Sequence, residues 1–297
     1  MKVGRQTASP QPIAIDKGKK LPSISIITPS FNQGQYVERT ILSVLNQNYP
    51  NLEYFVIDGG SIDDSVAIIR KYEKRLSAWV SENDRGQSHA FNKGLALAGG
   101  EIIGWLNSDD IYYPGTLERI GSFFAAHPET DVLFGDYAYI DPADEVVHIR
   151  REIPFNRSVY LWGRICPHAN CAGFFRKRCF QGGGLNENLH FCMDYELYLR
   201  LWRNGCRFSH LRQPLAAMRI HPHSKTVALR NKQRQEGREV YSIYCHHTRF
   251  SAPRLFALKW FYRSYRIFKK ATTGCYRDSL RRLPRFLWRR KKMQRNP

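Results

Sequence analysis

Apolar and polar positions fall into alternating blocks along the first two-thirds of this chain, and the block boundaries predict strands and helices in turn. Ile24-Ser25-Ile26-Ile27-Thr28 is a β-branched run closed by Pro29, and a polar loop from Ser30 to Gln33 follows it. After Gly34, the positions Val37, Ile41, Val44 and Leu45 share one helical face. Tyr54-Phe55-Val56-Ile57 predicts a second strand ending at Asp58-Gly59-Gly60-Ser61, after which Asp63 or Asp64 caps a helix bearing Val66, Ile69 and Tyr72. This βαβα order predicts a parallel sheet with right-handed crossovers. Ala78 to Val80 reads as a short strand and Ser88 to Leu97 as a helix with Asn92 and Lys93 on its polar side. Further on, Asp131 to Phe134 and Tyr137 to Ile140 read as two strands and Gly173 to Arg176 as another. A helix begins near Asp194, with Gly205 as its C-cap.

One block stands out. Ile102 to Leu106 is apolar and breaks at once into Asn107-Ser108-Asp109-Asp110. Such a run delivers the C-terminal end of a buried strand into a crevice, which is where ligands bind in open α/β sheets. Adjacent carboxylates repel, so burying both calls for a compensating cation, and Mg²⁺ or Mn²⁺ bridged to substrate phosphates meets that need. A solvated turn with Ser108 or Asp110 capping the next helix is the plain alternative.

Composition narrows the class. With 297 residues, 42% of them hydrophobic, the chain suits one large α/β domain plus an appendage. The net charge of +20 is uneven: residues 228–297 hold 20 Lys and Arg against three acids, which leaves +3 for everything before them. Seven cysteines without a C-x-x-C pair match neither a zinc site nor a disulfide scaffold, which indicates a reducing compartment. Residues 1–21 lack the apolar core of a signal peptide and read as a disordered leader, and no run is long and apolar enough to span a bilayer. These features predict a cytoplasmic catalytic body.

The ordered blocks from Ser25-Ile26-Ile27-Thr28-Pro29-Ser30-Phe31-Asn32 through Thr40 to Gln47, Val56-Ile57-Asp58-Gly59-Gly60-Ser61, Asn92-Lys93-Gly94, Trp105 to Asp110, Asp194 to Arg200 and Arg219-Ile220-His221 resemble a family-2 glycosyltransferase. The resemblance is to bacterial cell-surface polysaccharide enzymes. It implies the GT-A nucleotide-diphospho-sugar transferase fold, a Rossmann-like mixed sheet flanked by helices, over residues 22–225, with a basic helical tail over 226–297. It further implies inverting transfer of one sugar from a nucleotide-diphospho-sugar donor to a lipid-linked or saccharide acceptor hydroxyl, with Mn²⁺ or Mg²⁺ as cofactor. The Gln-x-x-Arg-Trp block of processive synthases is absent from the sequence, in keeping with single transfer.

By the same resemblance, Thr28, Pro29 and Ser30 shape the nucleobase pocket, and Asp58 sits where the family's base-binding aspartate lies, with an Asx-turn as its structural alternative. Asn32 and Asn92 are further candidates for nucleotide-sugar binding, and Arg85 and Lys93 are candidates for base or phosphate contact, against an ordinary solvated role for the two cations. Asn107 stands at the first aspartate of the family's D-x-D motif, beside Ser108. It can still hydrogen-bond a ribose hydroxyl, but it leaves Asp109 as principal metal ligand with Asp110 close by. His221 matches a late histidine that reaches the metal, or is a surface residue. Asp194 matches the general base, and by position it is equally a helix cap. Asn107 also motivates a rival reading, a non-catalytic nucleotide-sugar-binding protein on this fold.

The tail predicts a helix between Pro253 and Gly274. Lys259, Arg263, Arg266 and Lys270 fall in one narrow arc between two aromatic-rich flanks. A helix of that kind suits an anionic membrane surface, which places the protein peripherally at the inner face of the plasma membrane. The later clusters Arg281-Arg282, Arg285 and Arg289 to Lys292 add to that attraction. Alternatively, the apolar flanks pack on the domain and leave the cations solvated. Nucleic-acid binding is a further option, but no nucleic-acid motif supports it.

Overall fold

The computed structural model describes residues 20–221, 230–245 and 251–275. Most of the leader and the basic clusters beyond Cys275 lie outside the described residues. The first strand, β1 (Ile24–Ser30), is buried along its whole length and pairs in parallel with β2 (Leu52–Asp58) and β4 (Ile102–Trp105), while β3 (Ala78–Ser81) extends the sheet beyond β2. Alternate β1 side chains serve two layers. Ile24 and Ile26 meet α1 (Val37–Leu45), α2 (Ser65–Lys71) and α4 (Thr116–Ala126) on one face, and Ile27 meets α3 (Gln87–Leu97) on the other. Gly94 lets α3 lie flat on the sheet, since a Cβ there would stand 2.5 Å from Ile27 Cγ2.

Pro29 does not end β1. Carbonyl bonding alternates between neighbours, with Ile27 O accepting from Leu106 and Ser30 O from Gly59, so Pro29 faces the β4 side. Pairing with β4 has already stopped at Ile27, and the missing N–H forfeits nothing there.

The second half of the sheet departs further from the sequence pattern. The two strands expected around Gly135-Asp136 are one strand, β6 (Val132–Ile140), which pairs in parallel with β9 (Phe208–Arg219) through a register shift at those two residues. Gly135 is needed because a Cβ would meet Leu215 at 2.4 Å, and Asp136 is tolerated inside because His210 and the Glu152 amide donate to it. The antiparallel members β5 (Ile111–Tyr112), β7 (Val146–Arg150) and β8 (Gly173–Arg176) complete the sheet, in the order β3-β2-β1-β4-β8-β6-β9-β5 with β7 on β6. On the α3 side lie α5 (Arg157–Leu161) and α6 (Met193–Arg203), the latter closed by Gly205 in the left-handed region as expected.

Two helices follow the sheet, α7 (Arg230–Cys245) and α8 (Ala252–Thr272). Three of the four cations of the α8 arc, Arg263, Arg266 and Lys270, turn inward. Arg266 Nε and Lys270 Nζ donate to Glu152 at 3.1 and 3.0 Å, Arg150 reaches the same carboxylate at 3.0 Å, and Arg263 donates to the Gly163 carbonyl. Glu152 is only 1% exposed, and a buried carboxylate persists when cations and donors surround it. Burial alone would raise its pKa, but the charges of Arg266, Arg150 and Lys270 together hold it below the usual carboxylate range.

A depressed pKa contributes stability that is complete above the unfolded value of about 4.3 and fades as the pH falls through the folded one. Glu152→Gln is therefore expected to cost about 3–5 kcal/mol at neutral pH by stranding buried cations. Urea unfolding from pH 7 down to 3 checks this: the wild-type midpoint should fall below about pH 4, and that part of the decline should be smaller in the variant.

Candidate active site

Because β1, β2 and β4 run parallel, their C-terminal ends carry Ser30, Asp58 and Asn107 to one edge of the sheet. Two loops meet there and are stitched together. Asn32, with a left-handed φ of 51°, accepts from the Ile62 amide and donates its own N–H to Ser61 Oγ. Asp63 accepts from the amides of Gly34 and Ser65, joining the first loop to the start of α2. Phe31 stands 58% exposed on this rim, an aromatic the sequence reading did not single out.

Asp58 lies beneath the rim, fully buried. Its carboxylate accepts from the amides of Gly60 and Ser61 and from the hydroxyls of Ser61 and Ser81. It thus forms the Asx-turn and shapes the loop. Thr28 is also interior, with its hydroxyl 3.1 Å from Tyr54 OH, and Ser30 is buried.

The turn after β4 is the most constrained part of the site. Asn107 Oδ1 accepts from Trp105 Nε1 at 2.9 Å, from Asn170 Nδ2 at 3.3 Å and from Gln87 Nε2. A carboxylate oxygen would accept the same three donors; what the amide adds is Nδ2, which donates to Asp110 Oδ2 at 3.4 Å where a further carboxylate would repel, and that gives a physical account of asparagine here. Ser108 is buried within the turn. Asp110 points inward: its carboxylate accepts from the Arg219 amide at 3.0 Å, and its carbonyl accepts from Thr40 Oγ1 at 2.7 Å. Burial, with the Asp109 charge beside it, pushes the Asp110 carboxyl well above the usual carboxylate range.

Asp109 points the other way. Its Oδ2 lies 3.1 Å from His221 Nε2, with the His221 ring 4.9 Å from that of Tyr36. Arg219 braces the turn from the end of β9, donating from Nε to the Asp109 carbonyl and from Nη1 to the Asp141 carbonyl while it pairs with Asp144. Among the described residues, no three His, Cys, Asp or Glu side chains form a complete metal set. The Asp109–His221 pair offers one oxygen and one nitrogen, which suits an ion that takes its remaining ligands from phosphate oxygens and water.

Asp194 is the second residue of α6, and the N-cap position belongs to Cys192, so Asp194 is not the cap. Its Oδ1 accepts from the Tyr195 amide, and its Oδ2 lies 4.0 Å from Cys166 Sγ. Desolvation, helped by the Glu236 charge and resisted by the Tyr195 amide, pushes the carboxyl up to about 6. The segment from Cys166 to Asn170 joins this carboxylate to the Asn107 turn, and four residues span at most about 14 Å.

Arg85, Asn92 and Lys93 are not brought to the Asp109 turn. Arg85 pairs with Glu187, Lys93 with Glu82 at 2.7 Å, and Asn92 binds the Leu185 backbone in both directions as well as Glu187. Glu236 on α7 was missed altogether. Its carboxylate, 8% exposed, accepts from the amides of His190, Phe191 and Cys192, the three residues that lead into α6. Nothing local in a polar helix announces a partner more than 40 residues away. Arg219 was visible only as part of a motif.

Comparison with known proteins bears on the family and the fold. A family model described as glycosyl transferase family 2 matches residues 25–180. An uncharacterised glycosyltransferase of Mycobacterium tuberculosis is 33% identical over 183 residues, 60% of this chain and 68% of that protein. The chondroitin synthase of Escherichia coli is 28% identical over 197 residues, covering 65% of this chain and 28% of the synthase. Among solved structures, Staphylococcus aureus TarS in complex with UDP matches with a TM-score of 0.59 at 19% identity, over 80% of this chain and 69% of that one. The mannosyltransferase PcManGT from Pyrobaculum calidifontis, solved with GDP-Man and Mn²⁺, matches at 0.60 and 18% identity, over 86% and 73%. These likenesses establish the GT-A architecture for the sheet and its flanking helices.

Glu236→Gln is expected to keep the fold while loosening the entry to α6. Hydrogen exchange at the amides of His190, Phe191 and Cys192 should quicken by about tenfold or more, since charge-assisted bonds are roughly twice as strong as neutral ones. Unchanged protection there would remove Glu236 from any positioning role.

Proposed function

The chain belongs to glycosyl transferase family 2 and is a glycosyltransferase, and from that premise we propose that it moves one sugar from a nucleotide-diphospho-sugar to an acceptor hydroxyl, with inversion at the anomeric carbon. The observation that carries this reading is the pairing of Asp109 with His221 at the turn after β4, in a chain that also holds a carboxylate, Asp194, pushed up to about 6. The solved relatives with UDP and with GDP-Man support a nucleotide-sugar donor.

In this reading the nucleobase lies over the stitched loops at Pro29 to Asn32 and 58–61, against Phe31. Asp58 contributes by holding its loop in shape. Asp109 and His221 are the residues that would hold Mn²⁺ or Mg²⁺ against the diphosphate, while Asp110 and Arg219 fix the turn from within. A divalent ion bound there supplies Lewis-acid neutralisation of the diphosphate as it leaves. The Mn²⁺-bound mannosyltransferase supports that choice of cofactor.

The chain's own acid–base chemistry falls to Asp194. Its carboxylate takes the proton of the acceptor hydroxyl as that oxygen bonds to the anomeric carbon and the bond from that carbon to the diphosphate oxygen breaks. Backside attack inverts the centre, the nucleoside diphosphate leaves, and the proton rests on Asp194 until solvent removes it. A base with a pKa near 6 is ionised at neutral pH and still basic enough to share a proton in the transition state. For the acceptor we propose a saccharide hydroxyl, carried on a lipid-linked glycan in surface polysaccharide assembly. The similarity to a chondroitin synthase supports a saccharide acceptor.

Asp194→Asn is expected to lower turnover by about 10²–10⁴-fold with nucleotide affinity nearly intact. The wild-type rate should rise with pH through an apparent pKa of about 6, where Asp194 loses its proton, and then level. Turnover unchanged in the variant would sink the base assignment. Calorimetry with UDP, GDP and dTDP, each with Mn²⁺ and then with chelator, tests the donor half. One nucleotide should bind in a metal-dependent manner, and Asp109→Ala should remove that dependence.

A further inference from the structure

The outward side of α8 is apolar. At 100° per residue, Phe256, Trp260 and Ile267 lie within about 40° of one another, and Phe261 and Phe268 lie about 100° further round. All five are more than half exposed, and the small residues between them, Ala257 and Ser264, are exposed too. Single exposed apolar side chains are ordinary on protein surfaces, but five on one helix face mark an interaction site. The helix cannot roll to hide them. The side adjoining Phe256 is held by Arg266 and Lys270 on Glu152 and by Arg263 on the Gly163 carbonyl.

Charge selects the occupant. Arg254 and Lys269 are exposed beyond the Phe261 edge of this face, and the sequence continues past Cys275 with nine Lys and Arg against one Asp in residues 276–297. A second copy carries the same excess of positive charge. An anionic lipid surface offers hydrocarbon for the aromatics and phosphate for the cations at the depth where each is needed.

We propose that α8 is an interfacial anchor whose aromatic face lies in the surface of an anionic bilayer, with its cationic stripe turned inward to lock the helix to the sheet. The division of labour is the reverse of an ordinary basic amphipathic helix: the stripe binds protein, and the charge that meets lipid comes from Arg254 and Lys269 at the helix edge. Gly163, gripped by Arg263, is three residues from Cys166, whose thiol lies against Asp194, and three residues span at most about 11 Å. The anchor is thus joined to the base by a short connection, a link that rests on the proposed function, although membrane attachment itself does not.

Co-sedimentation of the full chain with phosphatidylcholine vesicles, with and without phosphatidylglycerol, tests the anchor. The chain should bind the anionic vesicles, and the double variant Trp260→Ser/Phe268→Ser should lose about tenfold or more of that affinity, while added salt weakens binding in both. Both side chains are exposed, so the fold should survive; nucleoside diphosphate binding by the variant checks that it does. Absence of binding to anionic vesicles overturns the proposal. So does equal binding by the variant, which would make the charged tail sufficient. A dimer in solution that the variant converts to monomer would assign the face to a second copy and likewise overturn it. Failure of the glycosyltransferase reading shows separately, as absent nucleotide binding.

Discussion

A buried arginine holds this candidate site together. Arg219 lies at the end of β9 and is 2% exposed, yet its side chain and amide reach both residues of the aspartate turn that follows β4. Two adjacent carboxylates at the end of a buried strand are unstable together, and the structure resolves the conflict by separating them. Asp110 turns inward to the Arg219 amide, while Asp109 turns toward His221. The sheet order serves this arrangement, because β9 runs between β6 and β5 and so brings residues 219–221 over the turn at 107–110.

The parallel half of the fold was legible because its signals are local. β1, β2 and β4 are apolar runs ending in small polar loops, and α3 and α6 have sided patterns with glycine at the right places. The second half was not legible, for physical reasons that differ from element to element. Gly135-Asp136 has the composition of a turn, but a close approach by Leu215 and a histidine partner turn it into strand interior. β7 and β9 draw much of their stability from pairing with β6, and such pairing leaves little periodicity in either segment.

The site residues divide along the same line. The turn at Asn107 to Asp110 and the base candidate Asp194 stood out by their residue types and positions. What each of them touches did not. Asn107 is a hub for three donors from three separate segments, and Asp58 is engaged by its own loop and by Ser81. The tail shows how far pattern can mislead about direction: the helix is where the periodicity places it, but its charged arc faces protein because Glu152 waits there, and no feature of residues 252–272 reveals that carboxylate.

The span of chain between Asp109 and its braces has a consequence for how the molecule is made. The turn is joined to residues 219–221, and the entry to α6 is joined to Glu236, so the contacts that complete the site have very high sequence separation. Such contacts form late in folding, after loop closure has been overcome. On the ribosome, the parallel strands β1 to β4 emerge long before their partners, with the aspartate turn still hydrated and unbraced. The nascent chain therefore carries the parallel half of the sheet without the residues that brace its turn, and the bracing is complete only when the last strand and the first tail helix have been translated.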